Sequence, residues 1–307
     1  MSPVNSFISN IKNYFNNSKV ANTMVRVGKL EDYFEVKELG DKKEHVRSLI
    51  TLEADDIQEL NLNVSRFDLM VMDSVYTLLT NGVNRFSLEA IANTIAGKEV
   101  SLDKNTSKKL QEIQSSINKL RRICINIDYT DIMREKKAIK ENERFVVNGY
   151  LMPLTIYHVI SPVKRRDKIV YELDRKPVLY EYAENLGRIV SVPSSVLTLP
   201  GVREDTDFIM IKQELVKEIE LMKNEKNRYK TTKIIYEWDR GEQKGGFAAR
   251  VGLFEENYAN STQWRKRKVK LTEQIKTILT RFVEIGYIKG FELIKKDKSV
   301  IGVTIVL

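Results

Sequence analysis

The chain has 307 residues, of which 42% are hydrophobic and 30% charged, a composition typical of a globular protein of about two domains and not of a disordered or fibrous chain. Lys and Arg number 51 and Asp and Glu 42, so the formal net charge is +9, which favours a polyanionic partner. The single cysteine, Cys124, excludes an intramolecular disulfide, and the two histidines, His45 and His158, are too few for a structural zinc site.

The sequence does not indicate a membrane protein or an enzyme. No run of about 18 apolar residues could span a bilayer, and the N-terminus lacks the apolar stretch of a secretory signal, so we expect a cytoplasmic protein without membrane contact. Neither a P-loop nor a nucleophile elbow occurs, and we expect no catalysis, no cofactor and no metal. One alternative is a Mg²⁺ site for phosphodiester cleavage on Asp128, Asp131 and the Glu-x-Lys segment Glu135-Lys136-Lys137. A second is Tyr129 as a DNA-cleaving nucleophile.

Residues 1–60 are expected to form an N-terminal arm and a partly ordered segment. Apolar residues from Phe7 to Phe15 recur at helical spacing, which allows either a short amphipathic helix or a loose arm. As a helix, this stretch could dock a partner or a second copy, and a homodimer is one expected state. A strand is predicted at Arg47–Leu52.

Three helices are predicted after residue 64. Apolar residues at three-to-four spacing follow Ser65 and end at Asn81-Gly82, a typical C-terminal signal. Ser87 can cap a second helix, which Gly97 ends. Thr106 can cap a third helix, 106–123, whose apolar stripe is Leu110, Ile113, Ile117 and Leu120.

Strands are predicted after the third helix. Alternation of apolar and polar residues indicates strand at Cys124–Tyr129 and again at 145–147 and 152–160. Three helices followed by a hairpin is the winged-helix order, with helix 106–123 as the recognition helix and the charged segment 131–144 as the wing. We therefore assign residues 61–175 to a first winged-helix domain.

Residues 176–307 repeat this order loosely. A long helix is predicted after Asp205, and a last helix, with apolar residues from Leu271 to Ile285, ends at Gly286. Two alternating runs, 287–294 and 300–307, form a terminal hairpin. The predicted fold class is α+β, with two tandem winged-helix domains.

Cations cluster on both predicted recognition helices and wings. Residues 260–307 hold eleven Lys and Arg against four Asp and Glu, and five of the eleven lie between Arg265 and Lys270, before the predicted last helix. Such positions suit phosphate and base-edge contacts, and a solvated helix face is the alternative. The predicted contacts to duplex DNA are Lys108, Lys109, Gln111, Ser115, Lys119, Arg121, Arg122, Arg134, Lys136, Lys137, Arg265, Lys266, Arg267, Lys268, Lys270, Lys295, Lys296 and Lys298.

Three stretches of sequence carry a family resemblance: SRFDLMVMDSVYTLLTNGVNRFSLEAIANTIAG, then IQSSINKLRRICINI, and the terminal ILTRFVEIGYIKGFELIKKDKSVIGVTIVL. In pattern and order, residues 65–307 resemble the double winged-helix replication initiators of plasmids and other bacterial mobile elements. The resemblance implies that both domains bind repeated sites in an origin, that host replication proteins are further partners, and that dimerisation turns initiator into repressor. The alternatives are a winged-helix transcriptional regulator and a protein-interaction module of the same fold.

Overall fold

The chain forms two compact units, the first consisting mainly of residues 15–95 and 99–189 and the second mainly of residues 190–307. Small antiparallel sheets and helices alternate along it, as expected for the α+β class. The computed structural model describes residues 14–15, 33–39, 45–53, 64–97, 99, 104–159, 168–185, 189–190, 192, 196, 199, 206–223, 231–236, 246–251, 253, 255, 258–297 and 299–307.

The first helix of unit one, α1 (Arg66–Thr80), begins at a capping box. The Ser65 hydroxyl accepts from the Asp68 N–H at 3.1 Å, and the Asp68 carboxylate accepts from the Ser65 N–H at 2.7 Å, which satisfies backbone donors at the helix end. Asn81 ends the helix, and Gly82 has a φ of +81°, a conformation that glycine adopts without strain. Both ends agree with the sequence prediction.

A short strand, β4 (Arg85–Phe86), precedes the helices α2 (Leu88–Ala96) and α3 (Lys104–Leu120). The Ser87 hydroxyl accepts from the Ala90 N–H at 3.3 Å, as predicted for a cap. Helix α3 begins before Thr106 and ends before Ile123, so Thr106 is not its N-cap. Its predicted stripe is confirmed at Ile113, Ile117 and Leu120, which are fully buried, and α3 packs against α1.

A three-stranded antiparallel sheet combines β4 with two strands that come after these helices in the sequence. Its strands are β4, β7 (Leu154–Val159) and β8 (Lys168–Leu173), in the order β4-β8-β7. The buried rings of Phe86 and Tyr171 stack with centroids 6.1 Å apart and join β4 to β8. Strand β7 lies within a predicted strand, whereas β8 is not among the predicted elements.

A separate four-stranded antiparallel sheet has the order β2-β3-β5-β6. Its strands are β2 (Tyr33–Leu39), β3 (His45–Glu53), β5 (Cys124–Asp128) and β6 (Val146–Tyr150). The strand predicted at Arg47–Leu52 lies inside β3, so the segment expected to be an arm supplies two strands to this sheet. Along β5, Ile125 and Ile127 are buried while Cys124 and Asn126 are partly exposed, which is the alternation expected of a sheet with one buried face.

The segment 131–144 links β5 to β6, as predicted, but it is not a plain wing loop. Helix α4 (Thr130–Glu135) occupies its beginning, and the hairpin that it closes belongs to the four-stranded sheet and not to the sheet that contains β4. The hairpin that pairs with β4 after the third helix is β7–β8. The segment predicted to be the first wing therefore lies in a different sheet from the one that contains β4.

Buried tyrosines pack α5 (Val178–Asn185) against the rest of unit one. The Tyr76 hydroxyl donates to the Leu151 carbonyl at 2.6 Å, and the rings of Tyr129 and Tyr182 lie 5.1 Å apart. Burial raises the pKa of both Tyr76 and Tyr129, so these phenols remain neutral. Helix α5 belongs to unit one, which reaches residue 189, whereas the first predicted domain ends at residue 175.

Unit two contains the helices α6 (Thr206–Lys223), α7 (Phe247–Arg250) and α8 (Ser261–Glu284), with strand β10 (Thr231–Ile235) between α6 and α7. The terminal strands β11 (Gly290–Lys296) and β12 (Ser299–Val306) form the predicted hairpin. The sheet order is β10-β12-β11. Unit two thus has an order that unit one shares in part: helix, short strand, two helices and a hairpin whose second strand lies in the middle of the sheet. In unit one, β5, α4 and β6 stand between the third helix and this hairpin.

Two short strands complete the described elements. β1 (Tyr14–Phe15) and β9 (Ile189–Val190) form a two-stranded sheet. The helix considered for residues 7–15 is not seen at Tyr14 and Phe15, and the remainder of that stretch lies outside the described residues.

Candidate nucleic-acid interface

Helix α3 presents a polar face to solvent on the side opposite its buried stripe. Lys108, Gln111 and Ser115 are exposed, because their spacing places them opposite Ile113 and Ile117. Lys109 is partly exposed and lies one turn before Ile113, at the edge of the buried stripe. Lys108, Gln111 and Ser115 thus share the solvent side of the helix, where the sequence prediction expects base-edge and phosphate contacts.

Lys119 lies on α3 but is turned towards the protein. Its ammonium lies 2.7 Å from the Asp68 carboxylate, which is almost fully buried. The pair joins the end of α3 to the first turn of α1. Lys119 therefore has a structural partner, and its predicted contact with DNA competes with this ion pair.

Arg121 and Arg122 follow the last turn of α3. Arg122 is exposed and Arg121 partly so, and both line a pocket of about 400 Å³ that also contains Arg175. The structure thus brings the two predicted phosphate ligands together with a third arginine that the sequence prediction missed.

The cations of segment 131–144 are engaged in part by unit one itself. The Arg134 guanidinium donates to the Glu143 carbonyl at 3.1 Å, and the Lys136 ammonium donates to the carbonyl of Asn185. Lys137 is exposed and has a φ of 55°. Since these residues follow β5 in the four-stranded sheet, they do not belong to the hairpin that pairs with β4.

In unit two, the basic run lies inside helix α8 and does not precede it, contrary to the sequence prediction. The Asn260 side chain accepts from the Gln263 N–H at 3.0 Å and begins the helix. Arg265, Lys266 and Lys270 are exposed. The Lys268 ammonium lies 5.5 Å from the centroid of the buried Trp264 ring, within the range of a cation–π contact.

Arg267 differs from its basic neighbours. Its side chain is only 12% exposed, and its guanidinium lies 2.9 Å from the Asp207 carboxylate in the first turn of α6. Helices α6 and α8 pack together at this point. Arg267 therefore holds two helices together, and the exposed cations of the run are Arg265, Lys266 and Lys270.

A groove of about 500 Å³ runs between α8 and the terminal hairpin. Arg265, Lys268 and Thr272 line it on the helix side and Ser299 and Val300 on the hairpin side. Lys295 and Lys296 are exposed near the tip of the same hairpin, while Lys298 lies outside the described residues. The helix thus places Arg265 and Lys268, together with the acidic Glu273, along this groove. Lys295 and Lys296 lie near the hairpin tip and are not among the residues that line the groove.

The sequence contains a basic cluster that the prediction missed. Residues 160–167 connect β7 to β8, lie outside the described residues, and include Lys164, Arg165 and Arg166. The alternating, β-branched and aromatic run from Lys168 to Leu173 is a strand signal. Recognising it would have identified this hairpin.

The carboxylates of the catalytic alternative do not converge. Burial alone would raise the pKa of Asp128, but hydrogen bonds from Thr130 and Arg144 outweigh it, and the pKa is lowered. Arg144 lies 2.7 Å from this carboxylate, whereas the exposed Asp131 lies 3.9 Å from Arg134. Among the described residues, no group of three or more His, Cys, Asp and Glu side chains could hold a metal ion.

The comparisons with known proteins give a distant structural likeness. No protein-family model and no curated protein matches the chain. A crystal structure of RctB domains 2–3 aligns over 90% of this chain and 91% of its own, with a TM-score of 0.45 and 12% identity. A second structure of these domains has a TM-score of 0.44 and the same identity, over 90% of both chains. Values this low carry no argument about function.

Within the described part of the chain, no helix is long and apolar enough to cross a membrane.

Proposed function

We propose that the protein binds duplex DNA through two tandem winged-helix units. The observation that carries this proposal is the groove of unit two, where cations of the third helix, Arg265 and Lys268, lie opposite the terminal hairpin. A third helix that enters a groove beside a basic hairpin is a recurring mode of DNA binding, and cations at such positions neutralise phosphates.

The repeated element order supports the winged-helix assignment. In both units, a helix, a short strand and two helices precede a hairpin that pairs with the short strand, and the strand orders β4-β8-β7 and β10-β12-β11 are equivalent. Unit one differs in that β5, α4 and β6 stand between its third helix and this hairpin. In unit one the third helix exposes Lys108, Gln111 and Ser115. Two such units in one chain suit a long or repeated DNA site.

We further propose that the bound site is a repeated element of a replication origin. This step rests on the resemblance of residues 65–307 to initiators of plasmids and mobile elements, and on the presence of two similar units in one chain. The proposed role is binding without strand cleavage. A transcriptional regulator would bind beside a promoter and would not require repeats.

Selection of bound sequences from random duplex DNA, using the full chain, tests the proposal. We expect enrichment of a defined site, with an affinity that falls steeply as salt rises, since phosphate contacts release counterions. Enriched direct repeats would support an initiator, and a single site would support a regulator. Incubation of supercoiled DNA with the protein and Mg²⁺ should leave the DNA intact. Absence of salt-sensitive duplex binding would contradict the proposal.

A further inference from the structure

The pocket of about 400 Å³ at the end of α3 contains more positive charge than its surroundings neutralise. Arg121, Arg122 and Arg175 line it, and Asp174 is the acidic residue among its lining residues. The Asp174 carboxylate already accepts from the Thr155 hydroxyl at 2.6 Å. Three guanidinium groups against one carboxylate leave a local excess of two charges, which matches the charge of a phosphate monoester.

Arg121 gives a second indication of an anion site. Its Nε atom is buried and has no hydrogen-bond partner among the described residues. A buried donor without a partner is costly, and such groups in folded proteins usually have one. A guanidinium also matches the geometry of phosphate oxygens better than an ammonium does. The pocket therefore offers a buried donor, beside two further guanidinium groups, to a ligand with several acceptor oxygens.

The remaining lining of the pocket is apolar and aromatic. The Tyr150 side chain is 44% exposed at the end of β6, and Pro153 and Leu154 lie beside it in the pocket wall. An exposed aromatic ring offers a stacking surface for a planar base. Pockets of this size are typical of small-molecule sites. A ligand that has both a phosphate group and a planar ring is a nucleotide.

We propose that this pocket binds a nucleotide, with its phosphates on Arg121, Arg122 and Arg175 and its base against Tyr150. The nucleotide is either free or the 5′-phosphorylated end of a nucleic-acid strand, since both present the same chemistry. The site goes beyond the proposed duplex interface because Arg175 and Tyr150 lie outside the helix α3. It does not depend on duplex binding.

Calorimetric titration of the full chain with ADP, a 5′-phosphorylated dinucleotide and inorganic phosphate tests this assignment. We expect ADP or the dinucleotide to bind, and Arg175→Gln to weaken that binding about tenfold, as loss of one charge-assisted hydrogen bond predicts. Tyr150→Leu should weaken the nucleotide probe and leave inorganic phosphate unchanged. Lys140→Gln removes one charge from an exposed residue outside the pocket lining and should change neither.

The outcomes distinguish the two sources of the nucleotide, and they distinguish failure of this assignment from failure of the proposed function. Tighter binding of the dinucleotide than of ADP identifies a strand end, and the reverse identifies a free nucleotide. The inference is overturned if neither ADP nor the dinucleotide binds, or if inorganic phosphate binds as tightly as they do. It is also overturned if Arg175→Gln leaves nucleotide affinity unchanged in a variant that thermal unfolding shows to be folded. Duplex affinity measured in parallel tests the proposed function by itself, so a chain that binds duplex but no nucleotide contradicts only this assignment.

Discussion

The Lys119 ammonium lies 2.7 Å from the buried Asp68 carboxylate and ties the end of the third helix of unit one to the beginning of the first. Asp68 also accepts from the N–H and the hydroxyl of Ser65, at 2.7 and 2.8 Å. One carboxylate thus caps α1 and fixes α3. The orientation of the helix that we assign to DNA recognition depends on this contact.

Replacing Lys119 with methionine should therefore destabilise unit one without weakening phosphate contacts. We expect a loss of about 1–3 kcal/mol in the free energy of unfolding, because Asp68 stays buried with only its Ser65 bonds. Urea denaturation measures this loss. The exposed Lys108→Met is the matched control and should be nearly neutral for stability. A lower salt slope of DNA binding in a folded Lys119→Met protein would show that Lys119 contacts phosphate after all.

The basic run of α8 should separate into binding and structural residues. Changing Arg265, Lys266 and Lys270 together to glutamine should leave the fold intact and reduce the slope of log affinity against log salt by about 0.9 for each phosphate that the variant no longer neutralises. Arg267→Gln should instead lower stability, because Asp207 would lose its partner across the helix interface. DNA titration over a salt series and thermal unfolding distinguish these effects. Equal effects of all four residues on the salt slope would contradict this division.

Local signals predict the helices of unit one well. Ser65, Asn81-Gly82, Ser87 and Gly97 lie at helix ends, because caps and positive-φ glycines are determined by a few neighbouring residues. The apolar stripe of α3 is confirmed for the same reason. Contacts between near neighbours in sequence were enough to predict these elements.

Pairing between distant strands is what the sequence pattern did not reveal. Strand β3 pairs with β5, and β4 with β8, across long separations in sequence that no local period encodes. The charged beginning of α8 was missed because only Trp264 and Leu271, two turns apart, mark its buried side there. Similarly, the ion pairs of Lys119 and Arg267 depend on helices that meet only in the folded protein.

Gln111 is exposed on α3 in a position to read a base edge. If α3 enters the major groove, Gln111→Ala should cost discrimination at one or two base pairs, about 1–3 kcal/mol for a bidentate contact. Competition between the selected site and single-base variants of it measures this cost. Uniform weakening across all of these sequences would mean that Gln111 contacts the DNA backbone.

Asp128 should make the stability of unit one depend on pH. Its carboxyl has a pKa below the ordinary 3.8, because hydrogen bonds from Thr130 and Arg144 outweigh the effect of burial. A lowered pKa in the folded state stabilises the fold above the unfolded pKa, and the contribution disappears as the pH falls through the folded value. We therefore expect Asp128→Asn to reduce stability at neutral pH, and the difference from the unaltered chain to shrink as the pH falls below about 3.8.

Urea unfolding over a pH series measures the effect of Asp128→Asn. Asp131→Asn is the matched control, since the Asp131 side chain is 51% exposed and lies 3.9 Å from Arg134, and surface pairs of this kind contribute little. Arg144→Gln should reproduce part of the Asp128→Asn effect, because it removes the guanidinium that lies 2.7 Å from the carboxylate. A stability difference for Asp128→Asn that stays constant as the pH falls would mean that altered packing, and not the ionised carboxylate, accounts for the effect of the substitution.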